Sequence, residues 1–280
     1  MPGAALKSCQ LNGPGTCAAT VKIRITMTQA IILTTQRTGS TFLVTCLESH
    51  PDICCLGELL AGSRLFHVPD FVYRFRYGTK AYRFLRSGAW YPTRMLRRYL
   101  DEGRLGSIEL GLRPVMAFKA MYNQIRPPWT MNFLRGRKDL RILHLRRNNL
   151  LKTYVSNQLL TVKRDKTWKP HTTTPVAAVS MPIVAAGALA FMRKAVAEYE
   201  AHERLFEDHP RLALSYETMI DGVGLEAGVA LDVCRFLGVA EHPMRSSLVK
   251  MNPERLQDMV TNYDELASAI AQSEFAAMLD

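Results

Sequence analysis

Apolar positions recur along this chain in two rhythms. Ile31-Ile32-Leu33 is a short, β-branched apolar run, the composition of a buried strand. It ends in a polar turn, Thr34-Thr35-Gln36-Arg37-Thr38-Gly39-Ser40-Thr41, and helical spacing resumes after it through Leu43, Val44 and Leu47. Ser49-His50-Pro51-Asp52 reads as a turn, because proline biases the residue before it out of the helix. Further strands are predicted at Ile53 to Leu56, Val115 to Lys119, Leu140 to Leu145 and Arg211 to Tyr216. Helices are predicted at Leu150 to Leu160, with Asn148 or Asn149 as N-cap, at Ile183 to Phe206, and at Leu225 to Leu237, the last closed by Gly238. Residues 61–110 carry a helical period broken by glycines at 78, 88, 103 and 106.

Strands alternating with helices place the chain in the α/β class. The expectation is a P-loop-like three-layer α/β/α architecture with a central, mostly parallel sheet and a helical insertion. The 280 residues suffice for one large domain of this kind, here 29–280. Residues 1–28 read as a weakly structured leader to it. Within the domain, 61–110 is the insertion, and the Thr/Pro-rich segment at 163–182 reads as a mobile loop.

Composition narrows the picture in three places. No apolar stretch reaches the roughly 18 residues of a transmembrane helix. Lys7 is followed by polar residues and glycines with no apolar h-region, so a cytoplasmic location is the expectation. The six cysteines show no C-x-x-C spacing and read as free thiols. The net charge of +11 calls for an anionic partner: nucleic acid, a membrane surface or a small substrate. Ten Lys/Arg stand against three Asp/Glu between Arg64 and Arg104, interleaved with aromatics such as Tyr73, Tyr82, Trp90 and Tyr99. A nucleic-acid surface could look like this. The helical period favours an insertion whose aromatics make a small core and whose arginines face solvent; a third reading is a rim for an anionic or lipid-linked acceptor.

The candidate chemistry starts at 31–43. A strand feeding a tight turn and a helix aims backbone N–H groups and the helix N-terminus at one spot. The backbone of Thr38, Gly39, Ser40, Thr41 and Phe42, the hydroxyls of Thr38, Ser40 and Thr41, and the Arg37 cation would together cradle a phosphate. Such units also occur in doubly wound folds without any ligand. The Walker A pattern is absent, since neither its first glycine nor its lysine is present. Glu58 follows the second strand, at the carboxyl end where α/β folds bind ligands, and is either a general base or a solvent-exposed or helix-capping glutamate. The strand ending at Leu145 leads into Arg146-Arg147-Asn148-Asn149. Phosphate-transferring P-loop enzymes place an acidic magnesium ligand there. Arg147 and, nine residues on, Ser156 could instead meet a second anion. Two anion sites without metal ligands suggest a nucleotide with phosphates at both ends.

In these motifs the chain resembles the sulfotransferases that use 3′-phosphoadenosine 5′-phosphosulfate, and is most similar to their bacterial carbohydrate branch, which includes nodulation-factor and trehalose sulfotransferases. Thr34 to Phe42 looks like the 5′-phosphosulfate loop, T-x-P-[RK]-[ST]-G-[ST]. His50-Pro51 through Gly57-Glu58-Leu59-Leu60 is similar to the branch's H-P…G-E-L segment. Leu145 to Ser156 looks like the 3′-phosphate motif. Tyr216-Glu217 and Phe236-Leu237-Gly238 follow in the same order. Gln36 stands where the family has proline, and Arg147-Asn148-Asn149 lacks an Asp-Pro common elsewhere in the superfamily.

The resemblance implies transfer of a sulfuryl group to a carbohydrate or glycolipid hydroxyl without a metal. Arg37 and the Thr38–Phe42 backbone would hold the 5′-phosphate and, with Arg37 in a catalytic role, steady the leaving oxygen; Arg147 and Ser156 would hold the 3′-phosphate. Glu58 would be the general base, and Lys119 a source of charge stabilisation. Nucleic acid is not an expected partner on this reading. Peripheral contact with a membrane surface and the oligomeric state stay open. The rival readings are a nucleotide kinase on a related scaffold, which would need magnesium, and a nucleic-acid-binding module built on 64–104.

Overall fold

The Ile31 run lies in the middle strand of a five-stranded parallel sheet. The computed structural model describes residues 27–60, 91–105, 108–162, 179–248 and 255–279. In chain order the elements are β1 (Thr28–Thr34), α1 (Ser40–Glu48), β2 (Ile53–Glu58), α2 (Tyr91–Glu102), β3 (Arg104–Leu105), β4 (Ile108–Glu109) and β5 (Val115–Met121). A 3-10 turn at Tyr122–Gln124 leads to α3 (Pro128–Arg135), β6 (Arg141–Arg146), α4 (Leu150–Val162), α5 (Ala185–Leu205) and β7 (Arg211–Ser215). The chain closes with α6 (Tyr216–Met219), β8 (Ile220–Asp221), β9 (Gly224–Leu225), α7 (Ala227–Leu237) and α8 (Tyr263–Ala271).

Sheet order is β2-β5-β1-β6-β7, and all four neighbouring pairs are parallel. Parallel strands are covered on both faces, which is why they read as unbroken apolar runs. The two-residue period divides each strand between two cores. Ala30, Ile32, Val115, Ala117, Leu143 and Leu145 pack with Leu43, Val44 and Leu47 of α1 and with Val233 and Leu237 of α7. Ile31, Leu33, Met116, Phe118 and Ile142 pack with Leu96, Tyr99 and Leu100 of α2, with Leu134 of α3 and with Phe206. The result is the three-layer α/β/α arrangement. A third cluster joins α4, α5 and α8 through Leu151, Val155, Met192, Leu266 and Ile270.

The 61–110 expectation falls partly outside the described residues. Where it is described, α2 leaves Arg94 and Arg97 exposed, so the arginines face solvent as expected, and turns Met95, Leu96, Tyr99 and Leu100 inward. These side chains do not make a core of their own; they cover one face of the sheet. The helical reading fails at the end of this segment, where β3 and β4 form an antiparallel hairpin. Gly103 is the cause. It ends α2 at φ 63°, and a Cβ there would fall 2.6 Å from the Gly111 backbone.

Residues 1–26 and 163–178, and with them most of the expected leader and loop, lie outside the described residues. Cys46, Cys54, Cys55 and Cys234 are free thiols. Among the described residues no helix is long and apolar enough to cross a membrane. The His50-Pro51 turn has a structural task. His50 is buried, its Nδ1 accepts the Asp52 N–H at 3.0 Å, and its Nε2 therefore donates to Ala240 O, also at 3.0 Å.

Candidate active site

The first loop closes on itself. Thr34 Oγ1 donates to Leu145 O at 2.8 Å, which ties the end of β1 to β6. Thr38 Oγ1 lies 2.6 Å from Thr34 Oγ1 and 3.0 Å from Thr35 O, and Thr38 is only 1% exposed. Its hydroxyl therefore binds the loop together and is not one of the donors facing a ligand, contrary to the sequence expectation. Arg37 takes φ 63°, a left-handed conformation that side-chain-bearing residues rarely adopt. Gly39 follows at φ 77° as N-cap of α1, with no side-chain cap. The first intrahelical bond is Leu43 N to Gly39 O, so the N–H groups of Ser40, Thr41 and Phe42 precede the ladder at an N-terminus with no acidic residue in its first turn. That is the electrostatics of an anion seat.

Only glycine fits at 39 for a second reason. A Cβ there would stand 2.3 Å from Tyr216 Cδ2. The Tyr216 ring also meets the second loop, where the Arg147 guanidinium lies 4.7 Å from the ring centroid.

Arg147, Arg37 and Ser156 converge. Arg37 Nε donates to Ser156 Oγ at 3.0 Å, and Arg147 Nη1 lies 3.5 Å from Arg37 O. The backbone of Arg37 thus belongs to the first loop, but its side chain joins the second group and not the first loop's cradle where the sequence reading puts it, because its Nε is bonded to Ser156 of α4. Among the described residues, no carboxylate forms an ion pair with either arginine. Burial, and then the neighbouring Arg147 charge, pull the Arg37 guanidinium below its ordinary value. Burial does the same to Arg147, opposed by Tyr216 and Glu217. Arg147 Nε is buried with no hydrogen-bond partner among the described residues. Two half-buried cations side by side are unfavourable until an anion joins them.

The third part of the site is an ion pair. Glu58 Oε1 accepts from Lys119 Nζ at 3.0 Å, and Glu58 Oε2 accepts from Gln124 Nε2 at 2.8 Å. Lys119 also donates to Thr41 Oγ1 at 3.1 Å, linking the pair to the first turn of α1. Lys119 does not end its strand, as its sequence suggests; β5 runs on to Met121 and buries it to 1% exposure. Glu58 keeps slight access, with 12% of its side chain exposed. Gln124 is held in turn by the Met121 N–H, which donates to its Oε1 at 3.0 Å.

The structure therefore joins Arg37, Arg147 and Ser156 in one group, and Glu58, Lys119 and Thr41 in another, with the Ser40–Phe42 N–H groups opening the helix that carries Thr41. Gln124 has no signal in the sequence, being 66 residues from Glu58. Tyr216 is visible there only as half of a motif; its ring contacts belong to the fold.

A scan against protein-family models finds no match, and a search of curated proteins finds none. Among solved structures, a sulfotransferase from Alicyclobacillus acidocaldarius aligns over 90% of this chain and 95% of its own, with 16% sequence identity and a TM-score of 0.43.

Proposed function

We propose that this chain is a sulfotransferase that moves the sulfuryl group of 3′-phosphoadenosine 5′-phosphosulfate to a hydroxyl of a carbohydrate or glycolipid. The observation that carries the reading is the Arg37–Arg147–Ser156 group beside the uncapped N-terminus of α1. One loop offers backbone N–H groups and the other offers guanidinium and hydroxyl donors, which suits a nucleotide bearing anions at both its 5′ and 3′ positions. Arg147 Nε, buried and without a partner among the described residues, fits the second of them.

When bound, the nucleotide supplies the sulfuryl group and, in its 5′-phosphate, the leaving group. The N–H groups of α1 stabilise charge on that phosphate, where a fixed dipole needs no reorganisation. Glu58 would receive the acceptor's proton as the acceptor oxygen bonds to sulfur and the bond from sulfur to the 5′-phosphate oxygen breaks. Lys119 and Gln124 hold the two carboxylate oxygens, so the base is fixed in orientation. Lys119 reaches Thr41 from the same ammonium, which keeps the base in register with the 5′-phosphate loop. The sugar class rests on the resemblance of the His50 to Leu60 segment to the carbohydrate branch, an analogy between sequences.

Calorimetric titration with adenosine 3′,5′-bisphosphate in EDTA, run beside ATP with magnesium, tests the reading. Binding of the bisphosphate without metal is the expected result. Binding of ATP alone, and only with magnesium, would replace the sulfotransferase with a kinase.

A further inference from the structure

The two loops of the site treat their helix N-termini differently. At α1 the cap is a glycine and the first turn holds no acidic group. At α4 the protein supplies its own anion. Glu217 Oε2 accepts the Asn148 N–H at 2.9 Å, and Glu217 Oε1 accepts the Asn149 N–H at 3.0 Å. Ser215 Oγ donates to the same carboxylate at 2.8 Å and accepts from Asn148 Nδ2 at 3.0 Å. Asn149 Oδ1 caps the helix itself, accepting the Lys152 N–H three residues on at 2.8 Å. The N–H groups of Asn148 and Asn149, which lead into this helix, and that of Lys152 in its first turn are thus met by the protein's own oxygens.

Two consequences follow for Arg147, the residue just before this clamp. Its main chain is held from both sides, by β6 before it and by the Glu217 bonds after it. Its guanidinium lies over the ring of Tyr216, the residue that precedes Glu217. We infer that Glu217 is a positioning residue for the second anion. It occupies the N-terminus of α4, so that a 3′-phosphate is met by Arg147, Arg37 and Ser156 and not by the helix, and it fixes the direction in which Arg147 points. Burial raises the Glu217 carboxyl, but the N–H bonds from Asn148 and Asn149 outweigh it and hold the group below its ordinary value, so it is an anion at neutral pH.

This inference rests on the nucleotide reading above and is tested by binding, which needs no acceptor. Wild type, Glu217→Gln, Glu217→Ala, Arg147→Ala and the double variant Glu217→Ala/Arg147→Ala are titrated with adenosine 3′,5′-bisphosphate and with 5′-AMP. Glu217→Ala is expected to weaken the bisphosphate by about tenfold and to leave 5′-AMP unchanged. Glu217→Gln keeps an acceptor oxygen and falls between it and wild type. Once Arg147 is gone, removing Glu217 is expected to cost nothing more. Equal losses for both ligands, or losses that add to those of Arg147→Ala, mean a general structural role and overturn the inference. So does unchanged bisphosphate binding in both Glu217 variants while wild type binds, which leaves the sulfotransferase reading intact. A wild type that does not bind the bisphosphate brings down that reading and this inference together. Should Glu217→Ala not fold, Glu217→Gln carries the same comparisons.

Discussion

Glu58 meets Lys119 across neighbouring strands, 3.0 Å from carboxylate to ammonium, because β2 carries one residue more than β5 at that level. Leu56 pairs with Phe118, and the next pair is Glu58 with Lys119; Gly57 is the extra residue. Without this bulge, Gly57 would face Lys119 and Glu58 would fall opposite Ala120. A bulge re-aims a side chain in this way, at the price of a ladder position. Removing one partner of a buried pair leaves the other charge uncompensated. Lys119→Met is therefore expected to destabilise the protein by about 3 kcal/mol. The double variant Lys119→Met/Glu58→Gln is expected to recover part of the loss. Urea unfolding of the three proteins measures both, and a Lys119→Met curve that overlays wild type would contradict the pairing.

Glu58→Gln keeps the shape of the side chain and removes its basicity. Turnover is expected to fall by about 10²-fold or more while bisphosphate binding persists. Release of bisphosphate from the sulfate donor, in the presence of a pool of sugars, reports the turnover. A variant as fast as wild type would remove Glu58 from the role of base.

Arg147→Ala is expected to weaken adenosine 3′,5′-bisphosphate by about tenfold to a hundredfold, the size of a charged hydrogen bond, and to affect 5′-AMP little. Losses of the same size for both nucleotides would contradict its assignment to the 3′ position.

Gly39→Ala meets two obstacles. The left-handed backbone alone costs about 1–2 kcal/mol for a residue with a Cβ. The new methyl also collides with the Tyr216 ring. Gly39→Ala/Tyr216→Ala relieves only the collision. Thermal unfolding is expected to place the double variant between Gly39→Ala and Tyr216→Ala, and full recovery to the Tyr216→Ala level would show that the backbone cost is negligible.

His144 predicts a dependence of stability on pH. It is fully buried in β6, with Nε2 2.7 Å from the Tyr122 hydroxyl and its ring stacked on Tyr199. Burial, and then Arg211, His202 and Arg146, push it down from 6.5 to about 3. Between those values the unfolded chain binds the proton that the folded chain refuses. This contribution is complete above pH 6.5 and is lost as the pH falls towards about 3, at about 1 kcal/mol per pH unit. Urea midpoints measured from pH 7 to pH 4 should fall accordingly, and the slope should flatten in His144→Gln. An equal slope in both proteins would assign the effect to other groups.

Local order is legible in the amino-acid sequence because it depends on near neighbours. The Ile31 run, the turn with its glycine and the helical spacing after it dictate β1, the loop and α1. Likewise the strand before Arg147 and the helix leading to Ser156 follow from period alone. The Thr38 hydroxyl escapes such a reading, because residue type does not say which way a side chain turns. So does the hairpin at the end of the 61–110 segment, because a glycine interrupting a helical pattern does not say what the chain does next.

Tertiary structure alone decided the contacts that turn these pieces into a site. Arg37 reaches Ser156 across 119 residues, and Gln124 reaches Glu58 across 66. The bulge at Gly57 and the approach of Tyr216 to Gly39 leave no period in the sequence. The physical reason is the same in each case: periodicity records which face of its own element a residue occupies, whereas partnership depends on the sheet order that sets β5 between β1 and β2 and β6 between β1 and β7.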